Sequence, residues 1–287
     1  MALDLVVNFY LFTFIPVKSF FMKKRVSISL LISAVLVLSH CSNPKEGKTG
    51  FNLFTVQQDR ELGAQVAAEI DGNPQEYPVL DSAQYPAAYK YLYEMRDRIL
   101  NSGQVVHKDE FQWRLRIIRD DNTLNAFCTP GGYIYVYTGL IKFLDAEDQL
   151  AGVMGHEIAH ADYRHSTRQM TQMYGVQLLL SVLAGDREAL KQITGGLIGL
   201  KFSRSHETEA DEASVIYLCP TDYDAAGGAK FFQKIQEVGG AAPPEFLSTH
   251  PNPENRIDNF YNNKLVQGCA GTEDYQARYT AFKNSLP

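Results

Sequence analysis

The sequence predicts an α+β protein, a mostly helical body with a small antiparallel sheet. Two observations predict it. Apolar residues recur at helical spacing near residue 60 and, from about residue 146 onward, almost without interruption. Between these regions lie two short β-type runs, 111–117 and 133–137, with turn chemistry ahead of the second. No period of 20–50 residues repeats, which excludes solenoids and propellers.

The elements follow in order. Thr55-Val56-Gln57-Gln58 is a capping box that opens a helix to about Ile70, with Leu62, Val66 and Ile70 on one face. Asp71-Gly72-Asn73-Pro74 stops it. A second helix spans about 83–100. Residues 111–117 alternate apolar and polar, as a half-buried strand does. Thr129-Pro130-Gly131-Gly132 is a turn, and residues 133–137 form a second strand. The helical remainder breaks near Gly185, Gly195-Gly196, Pro220 and Pro243-Pro244. The apolar stretch 176–184 is too short to cross a bilayer and meets Asp186, Arg187 and Glu188 at once, so it reads as a buried or capping helix.

Residues 1–40 differ in composition from the rest. Lys23, Lys24 and Arg25 precede an apolar run at 26–38, the pattern of an export signal starting at Met22 with an upstream extension. The rival reading makes the whole segment a membrane anchor. Leu38-Ser39-His40-Cys41 resembles a bacterial lipobox, in which the cysteine is acylated, although His40 stands where a small residue is usual. Residues 41–54 then form a lipid-anchored or flexible tether, and 55–287 form the folded domain. The expected location is the periplasmic side of a bacterial cell envelope, with membrane attachment through the N-terminal segment.

The chain of 287 residues carries a formal charge of −6, and without residues 1–40 it holds 23 basic and 32 acidic residues, a net of −9. That balance offers no footprint for nucleic acid. A 45% hydrophobic and 21% charged composition excludes a disordered chain or a fibre. Of Cys128, Cys219 and Cys269, the pair Cys219–Cys269 is the more plausible disulfide in an oxidising compartment, and none has metal-ligand spacing.

His156-Glu157-Ile158-Ala159-His160 carries the chemistry. On a helix, residues i and i+4 share a face, so His156 and His160 can hold one Zn²⁺, and Glu157 lies beside it as general base for a metal-activated water. A catalytic zinc needs a third protein ligand, which Glu207 supplies from a second helix, while Asp211, one turn on, can accept the remaining N–H of a ligand histidine. His165 and His206 read as supporting or structural residues.

These motifs resemble the gluzincin metallopeptidases of the forty-eighth metallopeptidase family, the group of the CAAX prenyl, HtpX-like, Oma-type and periplasmic BepA-like proteases. Asn125-Ala126-Phe127 with Pro130-Gly131-Gly132, the Ser203-to-Asp211 segment, and Thr249-His250-Pro251 with Arg256-Ile257 carry the resemblance beside the histidine motif. It implies His156, His160 and Glu207 as zinc ligands and Glu157 as base, with Asp211, Asn125 and Arg256 supporting them. It also implies that His250 either reaches the zinc as a fourth ligand or donates to an oxyanion. The strand at Gly132, Tyr133, Ile134 and Tyr135 is expected to form a cleft edge that pairs with extended, unfolded envelope polypeptides. A self-inhibited chaperone or assembly factor is the alternative function.

Overall fold

Thr55 opens the first helix as its side chain predicts: its Oγ1 accepts from Gln58 N–H at 3.2 Å, and Gln58 Oε1 accepts from Thr55 N–H at 2.8 Å. The computed structural model describes residues 51–238, 245–251 and 255–287. The expected export signal, the Cys41 boundary, the tether up to residue 50 and the Pro243-Pro244 break lie outside the described residues. Residues 51–54, placed in the tether by sequence, are docked instead: Phe54 is buried, and Asn52 donates to Thr167 at 2.9 Å. Among the described residues no helix is long and apolar enough to cross a membrane.

Helix α1 (Val56–Asp71) buries Leu62, Val66 and Ile70, the expected face. Helix α2 (Pro86–Leu100) starts three residues later than expected, because Pro86 takes the first helical position, where its missing N–H costs nothing. Strands β1 (Arg114–Ile118), β2 (Ala126–Thr129) and β3 (Tyr133–Tyr137) follow. Strand β1 begins only at Arg114, since Trp113 adopts a left-handed φ of 46° that breaks extended pairing.

The sheet order is β1-β3-β2, with β2 antiparallel and β1 parallel to β3. The α+β class stands, but the all-antiparallel sheet is corrected to a mixed one. The physical reason is connectivity: β2 reverses the chain and the hairpin at Gly131-Gly132 reverses it again, so β3 runs in the direction of β1. Both glycines have positive φ, and a Cβ on Gly132 would lie 2.9 Å from the Trp113 ring. A second correction follows. Strand β3 lies between two partners and cannot pair with a substrate backbone; the outer strand on that side is β2.

The chain continues through α3 (Thr138–Phe143), α4 (Glu147–Asp162), α5 (His165–Met173), α6 (Val176–Leu183), α7 (Arg187–Ile198) and α8 (Arg204–Leu218), then α9 (Gly227–Val238), α10 (Glu245–Thr249), α11 (Arg256–Gln267) and α12 (Gln276–Lys283). The break at Gly185 is real, but Gly195-Gly196 lie inside α7, which ends at Gly199. Helix α6 buries Leu179 and Val182 and exposes Val176 and Leu180, so it covers the fold rather than sitting within it.

All sixteen residues of α4 are buried, so this helix is the centre of the fold and not an amphipathic surface element. Two glycines let neighbours reach its backbone. A Cβ at Gly152 would sit 2.2 Å from the Gly228 nitrogen on α9, and one at Gly155 2.7 Å from Ser214 Oγ on α8. Ser214 Oγ also donates to the Gly152 carbonyl at 2.8 Å. The Cys219–Cys269 disulfide joins the end of α8 to the segment after α11, leaving Cys128 buried and free.

Gly152 and Gly195 give opposite expectations on the same substitution. Gly152→Ala forces two backbones apart and should lower unfolding free energy by ~1–3 kcal/mol. Gly195, with nothing within 4 Å of an added Cβ, should gain ~0.5–1 kcal/mol as Ala through helix propensity. Denaturant midpoints of the two variants check both.

Candidate metal centre

Helix α4 supplies His156, Glu157 and His160, and α8 supplies Glu207 and Asp211. The start of α8 is fixed by Ser203, whose Oγ accepts from His206 N–H at 3.2 Å. His250 follows α10, its N–H donating to the Phe246 carbonyl at 2.8 Å. Arg256 opens α11. His156, Glu157, His160, Glu207, Asp211, His250 and Arg256 are all buried.

The donor atoms converge. His156 Nε2 lies 2.9 Å from His160 Nε2 and 3.5 Å from Glu207 Oε2, and His160 Nε2 lies 3.3 Å from Glu207 Oε1. His250 Nδ1 lies 3.2 Å from His156 Nε2 and 3.1 Å from Glu207 Oε1. Ligands at ~2.0–2.1 Å around a tetrahedral zinc stand ~3.3–3.4 Å apart, close to this spacing. The four residues form a cluster of metal-binding size.

Hydrogen bonding tests whether a cation fits. Asp211 Oδ1 faces His156 Nδ1 at 2.9 Å, so the imidazole proton sits on Nδ1 and Nε2 presents a bare lone pair to the cluster. Glu207 Oε2 is buried without a hydrogen-bond partner among the described residues. Lone pairs gathered this tightly are satisfied by a shared cation, and a nitrogen-and-oxygen donor set of this kind suits zinc.

Charge states agree. Burial and the neighbouring His160 hold His156 well below the usual imidazole range, and burial takes His160 down to about 4, so both rings are neutral, as ligands must be. Burial works to raise Glu207, but His250 overcomes it and holds the carboxylate well below its usual range. Burial pushes Glu157 up to about 7. Its carboxylate receives the Cys128 backbone N–H, while Oε1 lies 3.5 Å from His250 Nε2 and has no hydrogen bond among the described residues.

Arg256 binds Asp211 with Nε–Oδ2 at 2.6 Å and Nη2–Oδ1 at 2.7 Å, and also reaches Glu207 Oε2 at 3.1 Å. Its guanidinium lies over the Phe232 ring at 4.0 Å. Asn125 is placed differently from the expectation. It is buried at the head of β2, its carbonyl accepts from Tyr137 N–H, and its Oδ1 has no partner among the described residues. Gly132, Tyr133, Ile134 and Tyr135 lie on the inner side of β2, away from its outer edge.

Sequence reasoning missed two parts of the site. Phe202 and Phe246 stack on His160 and His250 at ring-centroid distances of 4.0 and 4.3 Å, fixing the ring planes. The Cys128 N–H is a main-chain group that side-chain patterns cannot reveal. The pairing of Tyr137 N–H with the Asn125 carbonyl turns Asn125 toward β3, so the alternating pleat turns Cys128 outward, toward Glu157.

Residues 86–263 match the model of peptidase family M48. A putative beta-barrel assembly-enhancing protease of Vibrio cholerae is 30% identical over 258 residues, covering 83% of this chain and 51% of the relative. The beta-barrel assembly-enhancing protease of Escherichia coli is 27% identical over 230 residues, 75% of this chain and 45% of the relative. The mitochondrial metalloendopeptidase OMA1 of Arabidopsis thaliana is 31% identical over 152 residues, 52% of this chain and 31% of the relative. The chain thus spans about half or less of the length of these relatives.

Asp211→Asn keeps the shape of the side chain but removes the charge that holds the His156 tautomer. Metal affinity, measured by competition with a chelator, should fall ~10–100-fold.

Proposed function

The chain belongs to peptidase family M48, and on that premise we propose that it is a zinc-dependent endopeptidase acting on polypeptides. One observation carries the proposal: two imidazole nitrogens and a carboxylate meet at one buried point, with a second carboxylate, that of Glu157, beside them. His156, His160 and Glu207 would hold the zinc, which supplies Lewis acidity toward the scissile carbonyl and the attacking water.

The chain's own residues do the rest. Glu157, raised toward neutrality, accepts a proton from water and passes it to the leaving amine. The Cys128 N–H orients that carboxylate. Strand β2 runs along the site, and the outer main chain of Ala126 with the Cys128 carbonyl is the edge an extended substrate would meet. This favours unfolded or misassembled polypeptides over folded ones, because pairing needs free backbone. A cell-envelope location, with attachment near Cys41, fits the sequence pattern of residues 22–41 and the Cys219–Cys269 disulfide.

His250 gives the reading its regulation. Its Nδ1 stands where a fourth ligand would, and with four protein donors the position a substrate carbonyl needs is filled. We read this as a self-inhibited resting state. A second reading, a chaperone or assembly factor with a closed structural metal site, draws on the same contact.

Casein digestion by the wild type and by His250→Ala, each with and without a chelator, separates the two readings: chelator-sensitive cleavage by either protein supports the peptidase, and none by either supports the chaperone. Glu157→Gln should keep its metal and lose ~10²–10⁴-fold in rate. His250→Ala should raise basal cleavage; a fall would make His250 an oxyanion donor instead.

A further inference from the structure

The ring of His160 must be oriented as firmly as that of His156, and Asp211 serves only His156. The residue behind His160 is His165, whose Nδ1 lies 2.9 Å from His160 Nδ1. His165 is fully buried, so water cannot take its place. With His160 Nε2 turned to the cluster, the His160 proton sits on Nδ1 and points at His165. The His165 Nδ1 must then be the bare acceptor, which puts the His165 proton on Nε2. That nitrogen lies 3.4 Å from Glu209 Oε2. Each step follows from the one before, because two facing nitrogens cannot both carry a proton.

The backbone explains how His165 arrives there. Helical phase counted from His160 would turn it away. But α4 ends at Asp162 with Tyr163 as its cap, and Arg164 takes a left-handed conformation, φ 57° and ψ 34°, that folds α5 back. Arg164 is clamped by the Asp59 carboxylate and the Phe54 carbonyl. The His206 ring stacks on His165 at 4.4 Å and 17°. The His165 ring is therefore held between α4 and α8 by contacts independent of any metal.

We propose that His165 is a positioning residue of the metal site: it accepts the Nδ1 proton of His160, and Glu209 accepts its Nε2 proton, so that His160 presents a bare Nε2. This rests on the metal-site reading above and deepens it. Helix α8 then backs both histidines, His156 through Asp211 and His160 through Glu209 and His165, as well as supplying Glu207.

Zinc titration of the full chain against a chelator of known affinity tests it, with thermal melts of the metal-free proteins alongside. The wild type is expected to bind one zinc. His165→Leu, which cannot accept a proton, should weaken binding ~10–100-fold. His165→Asn, whose amide oxygen can accept at the same place, should recover most of that loss. Glu209→Ala, which leaves the buried ring in position, should weaken binding several-fold, and Glu209→Gln less. With cobalt in place of zinc, the visible spectrum of His165→Leu should differ from that of the wild type. If His165→Leu and Glu209→Ala bind zinc like the wild type while their metal-free melts drop, the residues are merely structural and the proposal is overturned. If His165→Leu does not fold, the loss in Glu209→Ala and the recovery in His165→Asn decide it, and absence of both overturns it. If the wild type binds no zinc, the metal-site reading itself falls, a distinguishable result.

Discussion

The close crossing of α4 and α8 is the constraint on which the site depends. Two imidazoles one helical turn apart are a common surface arrangement; they become a metal site only when a carboxylate from another helix comes within ~3.3 Å of both. Gly155 allows this, because any side chain there would strike Ser214. The Ser214 hydroxyl then ties the two helices through the Gly152 carbonyl. A chain that widened this crossing by one methyl group would keep every ligand and still move Glu207 away from the histidines.

Burying α4 completely has a cost that the rest of the fold meets. Its first turn carries Glu147 and Asp148 and its last residue is Asp162, all buried. Acidic residues suit a helix N-terminus, but a buried carboxylate still needs partners. Glu147 receives the Tyr91 and Tyr223 hydroxyls and the Arg278 guanidinium. Asp148 pairs with Lys230 at 2.5 Å. Asp162 takes the backbone N–H of Val106 and His107 and the Tyr217 hydroxyl at 2.7 Å. Losing one partner of such a group costs ~3–5 kcal/mol, whereas the intact set gives little net stability and holds the helix in one place. These contacts pin both ends of α4, so His156, Glu157 and His160 sit on a rigid support.

What the sequence disclosed followed from local rules, and what it hid followed from non-local ones. The capping box at Thr55, the i, i+4 pair of histidines and the i, i+4 pair Glu207 and Asp211 depend on spacing along one helix, so they were legible. The Cys219–Cys269 pair was legible by elimination of the interior cysteine. Strand order was not, because β1 and β2 both pair with β3 through contacts that no alternation pattern encodes. The edge was therefore assigned to β3, the strand with the strongest β propensity, although high propensity also marks a central strand. The helix break assigned to Gly195-Gly196 failed for a related reason: packing of α7 overrides a propensity deficit of ~1 kcal/mol per glycine. His165 read only as supporting or structural, because its approach to His160 depends on Arg164, a residue whose left-handed backbone no side-chain rule announces.

The position of His250 makes inhibition and integrity one problem. Its ring stacks on Phe246 and its Nδ1 faces Glu207 and His156, so it belongs to the buried cluster as fully as the α4 histidines do. Burial lowers its affinity for a proton, but the flanking carboxylates of Glu207 and Glu157 reverse that and raise it. Without a cation, the ring is thus drawn in as the positive partner of two acidic groups. With one, the same nitrogen becomes a donor in competition with substrate. Either way the ring has a reason to stay, and on the proposed self-inhibited reading a substrate would have to bring enough pairing energy along β2 to displace it. On that reading an extended polypeptide would offer that energy along its whole backbone and a short peptide would not, which would tie opening of the site to the kind of chain best suited to it.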